Sequence, residues 1–596
     1  FNPEEDFIMG EPKDPNIGKK LSARGRDRWI SLISNYTFGE LLKFAFADMK
    51  ESFKNIALFK EDKYEKLNPT KQELELKFML DSKEYKKTPI YSYEENVAKI
   101  IEKLDTSKFD FNVPAEGNIL GDVYEKFMDR ETRKAIGQFY TPDFVIEYIL
   151  NNTVAEADVI ENPFVSVLDP ACGSGHFLIM AYDILRKKFE ESIDKLREKY
   201  ADVDYVYKNE KMKGKEYWVK DRIHYHILKH CIFGADIDSF AVQLTTINLL
   251  LKDLDNFTDE LNIMECDSLI KWEEDYDWQD LKRQLEDHNK LYYTINYKDI
   301  AGIQRQGILS WDKAEELVRL CEFWSKKYDY VVGNPPYITV GGKFTELLEG
   351  KYEEYLLNKY TYSIYKMNTY ILFYERSLAT VKSNGVISFI TPRAILDNYY
   401  FKSFREFILN YFIINSVLEI NDKVFDMAEV GGNAIICIMK SHEKVDNYLI
   451  TTGRIVDIKQ LNNLENYLFK VSVVTFKNNP NYSFLISTNE QIEIVHKIKN
   501  NNLLLSDVCI FKNGVNTGNS ANILLSKVKK DDRYLPIIEG KDINRFNIKW
   551  GGLYICYDPS LKKKIDLNQL KTKQKKIDFS LRSIELFNTN KIVIRQ

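Results

Sequence analysis

Two short segments hold the residues best suited to chemistry, Asp169-Pro-Ala-Cys-Gly-Ser-Gly175 and Asn334-Pro-Pro-Tyr337. Each follows an apolar run ending in an acidic or polar residue, the pattern of a strand tip. In the first, Gly173 and Gly175 let the backbone turn tightly and approach a ligand, and the helix start behind them favours a carboxylate or phosphate. In the second, the Asn334 side-chain oxygen and the Pro335 carbonyl can accept the two hydrogens of a planar amine. Such an amine is a poor nucleophile, because its lone pair is delocalised into the ring. Gripping both hydrogens returns electron density to the nitrogen as positive charge develops there. Pro335 and Pro336 stiffen the loop without adding a competing N–H, and Tyr337 offers a face on which the ring can stack. The pair implies methyl transfer to the amino group of a flat base; the rival account of the second segment is a rigid turn with a surface tyrosine.

Two further acidic tips lie between them. Gly234-Ala-Asp236-Ile-Asp238 can present a carboxylate to both ribose hydroxyls, and Glu265-Cys-Asp267-Ser268 can accept from an adenine amino group. Asp also caps helices well, so each alone is open to that simpler account. Three successive acidic tips beside a glycine loop are harder to assign to capping.

The elements that must position these tips alternate along the chain. Strands are expected at Val165–Asp169, Ile232–Asp236, Leu261–Asp267, Tyr328–Asn334, Gly385–Pro392, Ile414–Ile420 and Gly431–Lys440. Helices are expected at Phe177–Lys199, Ser239–Leu254, Thr369–Val381 and Phe401–Tyr411. This alternation predicts an α/β, doubly wound and mainly parallel sheet, whose ligands sit beyond the carboxyl ends of its strands. The loop before the seventh strand is too short for a crossover helix, so that strand is expected to run antiparallel. Polar, aromatic residues 271–326 read as an insertion at the sheet rim. Residues 1–117 read as mostly helical, with amphipathic stretches at Tyr36–Lys54 and Tyr93–Leu104, and Asn118–Arg133 as a helix leading into the sheet domain, 118–440. Residues 441–502 read as a connector of short strands and a helix at Asn489–Asn500, and 503–596 as the start of another unit.

With 596 residues, 44 % hydrophobic and 29 % charged, the composition is that of a globular protein of about four units. No apolar run approaches the ~20 residues of a membrane span. The seven cysteines stand apart from metal or redox spacings, which fits a reducing cytoplasm. The chain opens on Phe1 and stops after the strand-like Lys591–Arg595, so both ends read as cuts in a longer protein. Residues 501–596 carry 18 Lys/Arg against 9 Asp/Glu, net +9 in a chain of −5, which leaves −14 on the rest. A basic end on an acidic body either meets a polyanion or is a solvated lysine-rich surface.

In their order, Gly137-Gln-Phe-Tyr-Thr-Pro142, the glycine loop, Asn334-Pro-Pro-Tyr337 and a basic C-terminal part resemble the gamma class of N6-adenine DNA methyltransferases. The resemblance covers about residues 118–596. It implies a Rossmann-like S-adenosylmethionine-dependent methyltransferase sheet, an N-terminal helical region, and a C-terminal α/β target-recognition domain cut short at 596. It implies double-stranded DNA as partner, with a nuclease domain or subunit outside this segment, as in type IIG restriction–modification proteins. By the same resemblance Gln138, Phe139, Tyr140 and Thr141 close over the methionine part of the cofactor, and Asp169, Ala171, Gly173 and Gly175 hold its amino-acid end. Asp236 and Ile237 serve the ribose, Asp267 and Ser268 the adenine, and Phe373 faces the adenine ring. Asn334, Pro335, Pro336 and Tyr337 form the catalytic grip, and Phe425 gives the flipped base a second stacking face. For Phe373 and Phe425 a core phenylalanine is the rival account. Adenine N6 lies inside the duplex, so the base must rotate out to react. The transfer needs in-line alignment and no metal.

His224, His226 and His230 lack a nearby Cys or carboxylate at ligand spacing, and Glu75-Leu-Lys77 with Asp62 lacks the strand context of a nuclease site. The loop Gly18–Arg28 is equally a phosphate contact or a solvated linker. Segments Lys512–Gly518 and Leu535–Arg545 look like target recognition. Competing functions are a stand-alone or phage-defence adenine methyltransferase, a protein-glutamine methyltransferase sharing Asn-Pro-Pro-Tyr, and a DNA-binding subunit with a relict site.

Overall fold

The alternating elements assemble into one nine-stranded sheet in a computed structural model of the chain. The structure describes residues 82–87 and most of 141–594; residues 1–81, 88–140, 340–349, 363–366, 421–433, 442–446, 456–463 and 562–578, with a few isolated positions, lie outside the described residues. The expected N-terminal helices, the Gly18–Arg28 loop and the Glu75–Lys77 segment all fall outside them.

The strands, in chain order, are β1 Val167–Asp169, β2 Ile232–Asp236, β3 Asn262–Glu265, β4 Tyr328–Gly333, β5 Val381–Pro392, β6 Phe412–Ile420, β7 Ala434–Ser441, β8 Leu449–Ile455 and β9 Leu468–Ser472. Their spatial order is β9-β8-β6-β7-β5-β4-β1-β2-β3. The run β5-β4-β1-β2-β3 is wholly parallel. β7 lies antiparallel between β5 and β6, as its short approach loop requires. Residues 441–502 supply β8, parallel to β6, and the antiparallel edge strand β9. β1 is buried throughout, as befits the centre of a parallel sheet covered on both faces.

Helices cover the sheet because their apolar residues recur on one face. In α1, Asp143–Asn151, the buried residues are Val145, Ile146, Ile149 and Leu150. In α2, His176–Lys199, Phe177, Ala181, Leu185 and Phe189 recur every four residues, each stabilising by roughly 1.5–3 kcal/mol for the larger side chains. α3, Ser239–Leu250, starts on the side chain of Asp238, which accepts from the Phe240 N–H. The rim insertion carries a hairpin, Tyr293–Lys298 with Gln304–Leu309, and α4, Trp311–Ser325. These share a small core of Leu281, Tyr293, Ile295, Ala314 and Val318. Beyond it come α5 Gly350–Lys359, α6 Thr369–Thr380 and α7 Lys402–Tyr411.

The chain divides into two compact units, residues 1–491 and 492–596. The second contains a three-stranded sheet of β10 Leu525–Ser526, β11 Tyr534–Pro536 and β14 Tyr554–Cys556, and a hairpin of β12 Ile543–Asn544 with β13 Asn547–Ile548. Among the described residues no helix is long and apolar enough to cross a membrane.

Candidate active site

Parallel pairing puts the tips of β3, β2, β1 and β4 side by side at one end of the sheet. The Asp169 carboxylate is only 1 % exposed and accepts from the Ala171 N–H at 3.0 Å. Burial, with the nearby Asp236 charge adding to it, pushes its pKa up to about 8. Gly173 (φ +53°) and Gly175 (φ +89°) take left-handed conformations as the chain turns into α2. At Gly175 a Cβ would lie 2.7 Å from Thr245 Cγ2, so the turn is packed against α3. At Gly173 a Cβ would meet nothing within 4 Å, so that side of the loop is open to a ligand. Thr245 Oγ1 donates to the Gly173 carbonyl at 2.7 Å and fixes the loop from below.

Asp236 accepts from the Gly173 and Asp238 N–H groups at 2.8 and 2.9 Å. Burial raises its pKa, against the lowering effect of those bonds. The next residue, Ile237, is 72 % exposed, and Phe240 is half exposed, so an apolar rim stands beside the carboxylate. Asp267 accepts from the Leu269 N–H at 2.9 Å and from the Tyr352 hydroxyl. Burial raises its pKa too, while the Tyr352 bond lowers it. Ser268 Oγ donates to the Pro170 carbonyl at 2.6 Å and ties the β3 loop to the β1 loop.

The two leading motifs meet at Gly333. A Cβ there would lie 2.6 Å from Asp169 Oδ1, so only glycine lets the backbone into Asn334 pass the carboxylate. Asn334 Nδ2 donates to Thr141 Oγ1 at 3.0 Å, which makes Oδ1 the acceptor end of that amide. Thr141, the last residue of the first motif inside the described region, is buried. Tyr337 is half-buried; its hydroxyl donates to the Ile390 carbonyl at 3.1 Å, and its ring meets Tyr370 edge-on at 6.1 Å. Burial pushes the Tyr337 phenol well up, so it stays protonated.

Phe373 is buried on α6. Gln138, Phe139, Tyr140 and Phe425 lie outside the described residues. His224 and His226 pack in the core: Tyr182 Oη lies 2.7 Å from His224 Nδ1, and the Pro163 carbonyl 2.6 Å from His226 Nε2. Burial lowers both to about 4, which keeps them neutral.

Several supports have no signal in local spacing. Thr369, opening α6, accepts from the Ile338 N–H at 3.1 Å and donates to the Pro336 carbonyl, clamping the Asn-Pro-Pro-Tyr loop. Arg376, buried on the same helix, holds both Glu273 oxygens at 2.5 and 2.8 Å and donates to the Ser268 carbonyl at 3.1 Å. Tyr352 and Tyr355 of α5 reach Asp267 and Asp275. Gly333 alone had a sequence cue, a glycine closing an apolar strand just before a polar residue.

Residues 230–425 match the family model of the Eco57I restriction-modification methylase. The chain is similar to the type II restriction enzyme and methyltransferase RM.Eco57I of Escherichia coli, 25 % identical over 52 % of this chain and 30 % of the relative. It is also similar to the adenine-specific methyltransferase PglX of Lacticaseibacillus casei, 21 % identical over 73 % of this chain and 42 % of the relative. The chain thus spans less than half the length of either. Among solved structures, the type I restriction-modification methyltransferase subunit of Streptococcus thermophilus aligns at 15 % identity and a TM-score of 0.41, over 75 % of this chain and 76 % of that one. The matched segment 230–425 contains the acidic strand tips Asp236 and Asp267 and the loop Asn334-Pro-Pro-Tyr337, all at one sheet edge.

Proposed function

We propose that the chain is a sequence-specific DNA methyltransferase that moves a methyl group from S-adenosylmethionine to adenine N6 in duplex DNA. The observation that carries the reading is the contact at Gly333, which brings the amine grip against the carboxylate of the glycine loop. Reactive groups joined by a shared binding surface must lie together, and these do.

The residues present fit S-adenosylmethionine. Asp169 and the open face at Gly173 suit its amino-acid end, Asp236 its ribose, Asp267 and the buried Ser268 its adenine. Thr141, with Gln138, Phe139 and Tyr140 before it, would cover the methionine part, and exposed Ile237 the apolar rim. Phe373 would back the adenine from α6. When bound, S-adenosylmethionine supplies an electrophilic methyl group on a sulfonium.

The chain's own part is orientation and acceptance. Asn334 Oδ1 and the Pro335 carbonyl would grip the two N6 hydrogens, and Thr141 fixes which end of the Asn334 amide faces them. Thr369 holds Pro336 and Ile338 in place, so the grip is formed before the base arrives. Tyr337, anchored by its hydroxyl to Ile390, would stack on the flipped adenine, with Phe425 opposite. The relatives' names support restriction–modification as the setting, with a nuclease on the same or a partner chain; a cytoplasmic location goes with that reading. The likeness to PglX, named as an adenine-specific methyltransferase and covering more of this chain, supports as second reading a stand-alone or phage-defence adenine methyltransferase.

The test is transfer of labelled methyl from S-adenosylmethionine to random duplex DNA, with the modified bases mapped. N6-methyladenine is expected. Label in protein and none in DNA, from the full-length protein, would overturn the reading. Asn334→Ala is expected to abolish transfer and retain cofactor binding; lost binding in a folded variant would remove Asn334 from the grip.

A further inference from the structure

Phe546 stands at the tip of the two-residue turn joining β12 and β13, and it is 95 % exposed. Its φ is +59°, in the left-handed region where glycine or asparagine is at home and a bulky aromatic is a clear outlier. Phe546 therefore carries both an unfavourable backbone and a ring left 95 % exposed. Such outliers persist where function holds them.

The hairpin under the ring is held firmly. Asp542 is buried; its carboxylate accepts from the Glu539 N–H at 2.9 Å, while its carbonyl accepts from the Lys549 N–H at 2.9 Å. A Cβ on Gly551 would lie 2.8 Å from Asp542 Oδ1, so the chain leaving the hairpin is packed tightly on that same carboxylate. Trp550 Nε1 donates to the Ile537 and Leu553 carbonyls, both at 3.0 Å, and so fastens the hairpin to the three-stranded sheet. The ring is thus presented by a braced support.

Its charge setting selects the occupant. The Arg545 guanidinium lies 5.3 Å from the Phe546 ring centre, and Lys549 is exposed just past the returning strand. Both belong to the stretch 501–596, whose net charge is +9. An apolar wedge flanked by cations suits a stack of bases between two phosphate backbones, since the cations meet phosphates while the ring replaces lost stacking. We propose that Phe546 inserts into duplex DNA as a wedge, with Arg545 and Lys549 on the flanking phosphates. This rests on the reading of the chain as a DNA-acting enzyme.

The experiment uses the full-length protein, a labelled random-sequence duplex, and closed circular plasmid relaxed by topoisomerase in the protein's presence. Phe546→Ala and Phe546→Asn are expected to bind the duplex about tenfold more weakly or worse, as loss of one stacked aromatic implies. The salt dependence of their binding should be unchanged, whereas Lys549→Ala should lower the slope of log affinity against log salt by about one. Both Phe546 variants should unwind the plasmid less than wild type. Their melting temperature should be unchanged or, for Phe546→Asn, higher, because asparagine tolerates the left-handed backbone. Unchanged affinity and unwinding would overturn the proposal. So would a lowered melting temperature in either variant, which would mean that the ring packs against another part of the full-length chain. If wild type methylates DNA and Phe546→Ala does so equally well, the wedge fails and the methyltransferase reading stands. If the variants lose affinity and unwinding while wild type methylates no DNA, the wedge stands and that reading fails.

Discussion

Gly333→Ala is the substitution that asks most directly whether the two motifs share one site. The added Cβ would sit 2.6, 3.0 and 3.3 Å from the Asp169 Oδ1, Cγ and Oδ2 atoms, all three tighter than ordinary contact near 3.4 Å. The carboxylate cannot swing aside without losing its 3.0 Å bond from the Ala171 N–H. Overpacking of this kind costs about 1–3 kcal/mol, and loss of a buried hydrogen bond adds about 1–3 kcal/mol. The φ of 153° at Gly333 adds about 1 kcal/mol of backbone strain for any side chain. The expected total is about 3–7 kcal/mol. In an Asp169→Ala background the steric and hydrogen-bond parts vanish and only the strain remains, about 1 kcal/mol. Denaturation of wild type, both single variants and the double variant, at one pH, should therefore show a coupling of about 2–6 kcal/mol. An equal cost of Gly333→Ala in both backgrounds would refute the contact.

Asp169 also predicts a pH dependence. The folded chain keeps this proton to about pH 8, while the unfolded chain releases it near pH 4. Its contribution to stability is thus fully present below about pH 4 and is lost as pH rises through about 8. Asp169→Asn should flatten the fall in stability over that window, measured by urea unfolding without cofactor; an unaltered profile would exclude this group. Arg376→Ala removes the buried partner of half-buried Glu273 and should cost about 3–5 kcal/mol by thermal melting. Tyr352→Phe removes a donor that helps keep Asp267 ionised, so cofactor affinity should fall roughly fivefold by calorimetry, for a loss of about 1 kcal/mol. Unchanged affinity would separate Tyr352 from the adenine site.

The parts of this architecture written in local pattern were legible in the sequence. Ile232–Asp236 is an apolar run ending in an acid, and its strand has those bounds. The short link before β7 implied an antiparallel strand, and β7 is one. What local pattern cannot carry is pairing between distant segments. β7 threads between β5 and β6, and β8 joins β6, by choices made only when the sheet forms. Leu449–Ile455 reads Leu-Ile-Thr-Thr-Gly-Arg-Ile, too mixed in polarity, with Gly453 and Arg454 near its end, to announce a place in the main sheet. The supports Thr369, Arg376 and Tyr352 were missed for the same reason: each acts on residues far away in the chain. Arg376 was hidden further by its charge, since a buried arginine is uncommon without a partner that the sequence does not reveal.

The adjacency of β1 and β4 has a consequence for how such chains can vary. The distance between the glycine loop and the Asn-Pro-Pro-Tyr loop is set by one step between neighbouring strands, about 4.8 Å, and by the register that pairs Leu168 with Val331. The chain running from one to the other does not enter that distance. Its rim insertion, with a hairpin and a small core of its own, can therefore lengthen, shrink or be exchanged at little expense to the reaction geometry. A shift of one residue in β4 would turn Gly333 away from Asp169 and put a side chain where no space exists. The molecule thus tolerates large changes of length between its motifs and almost none of phase within them.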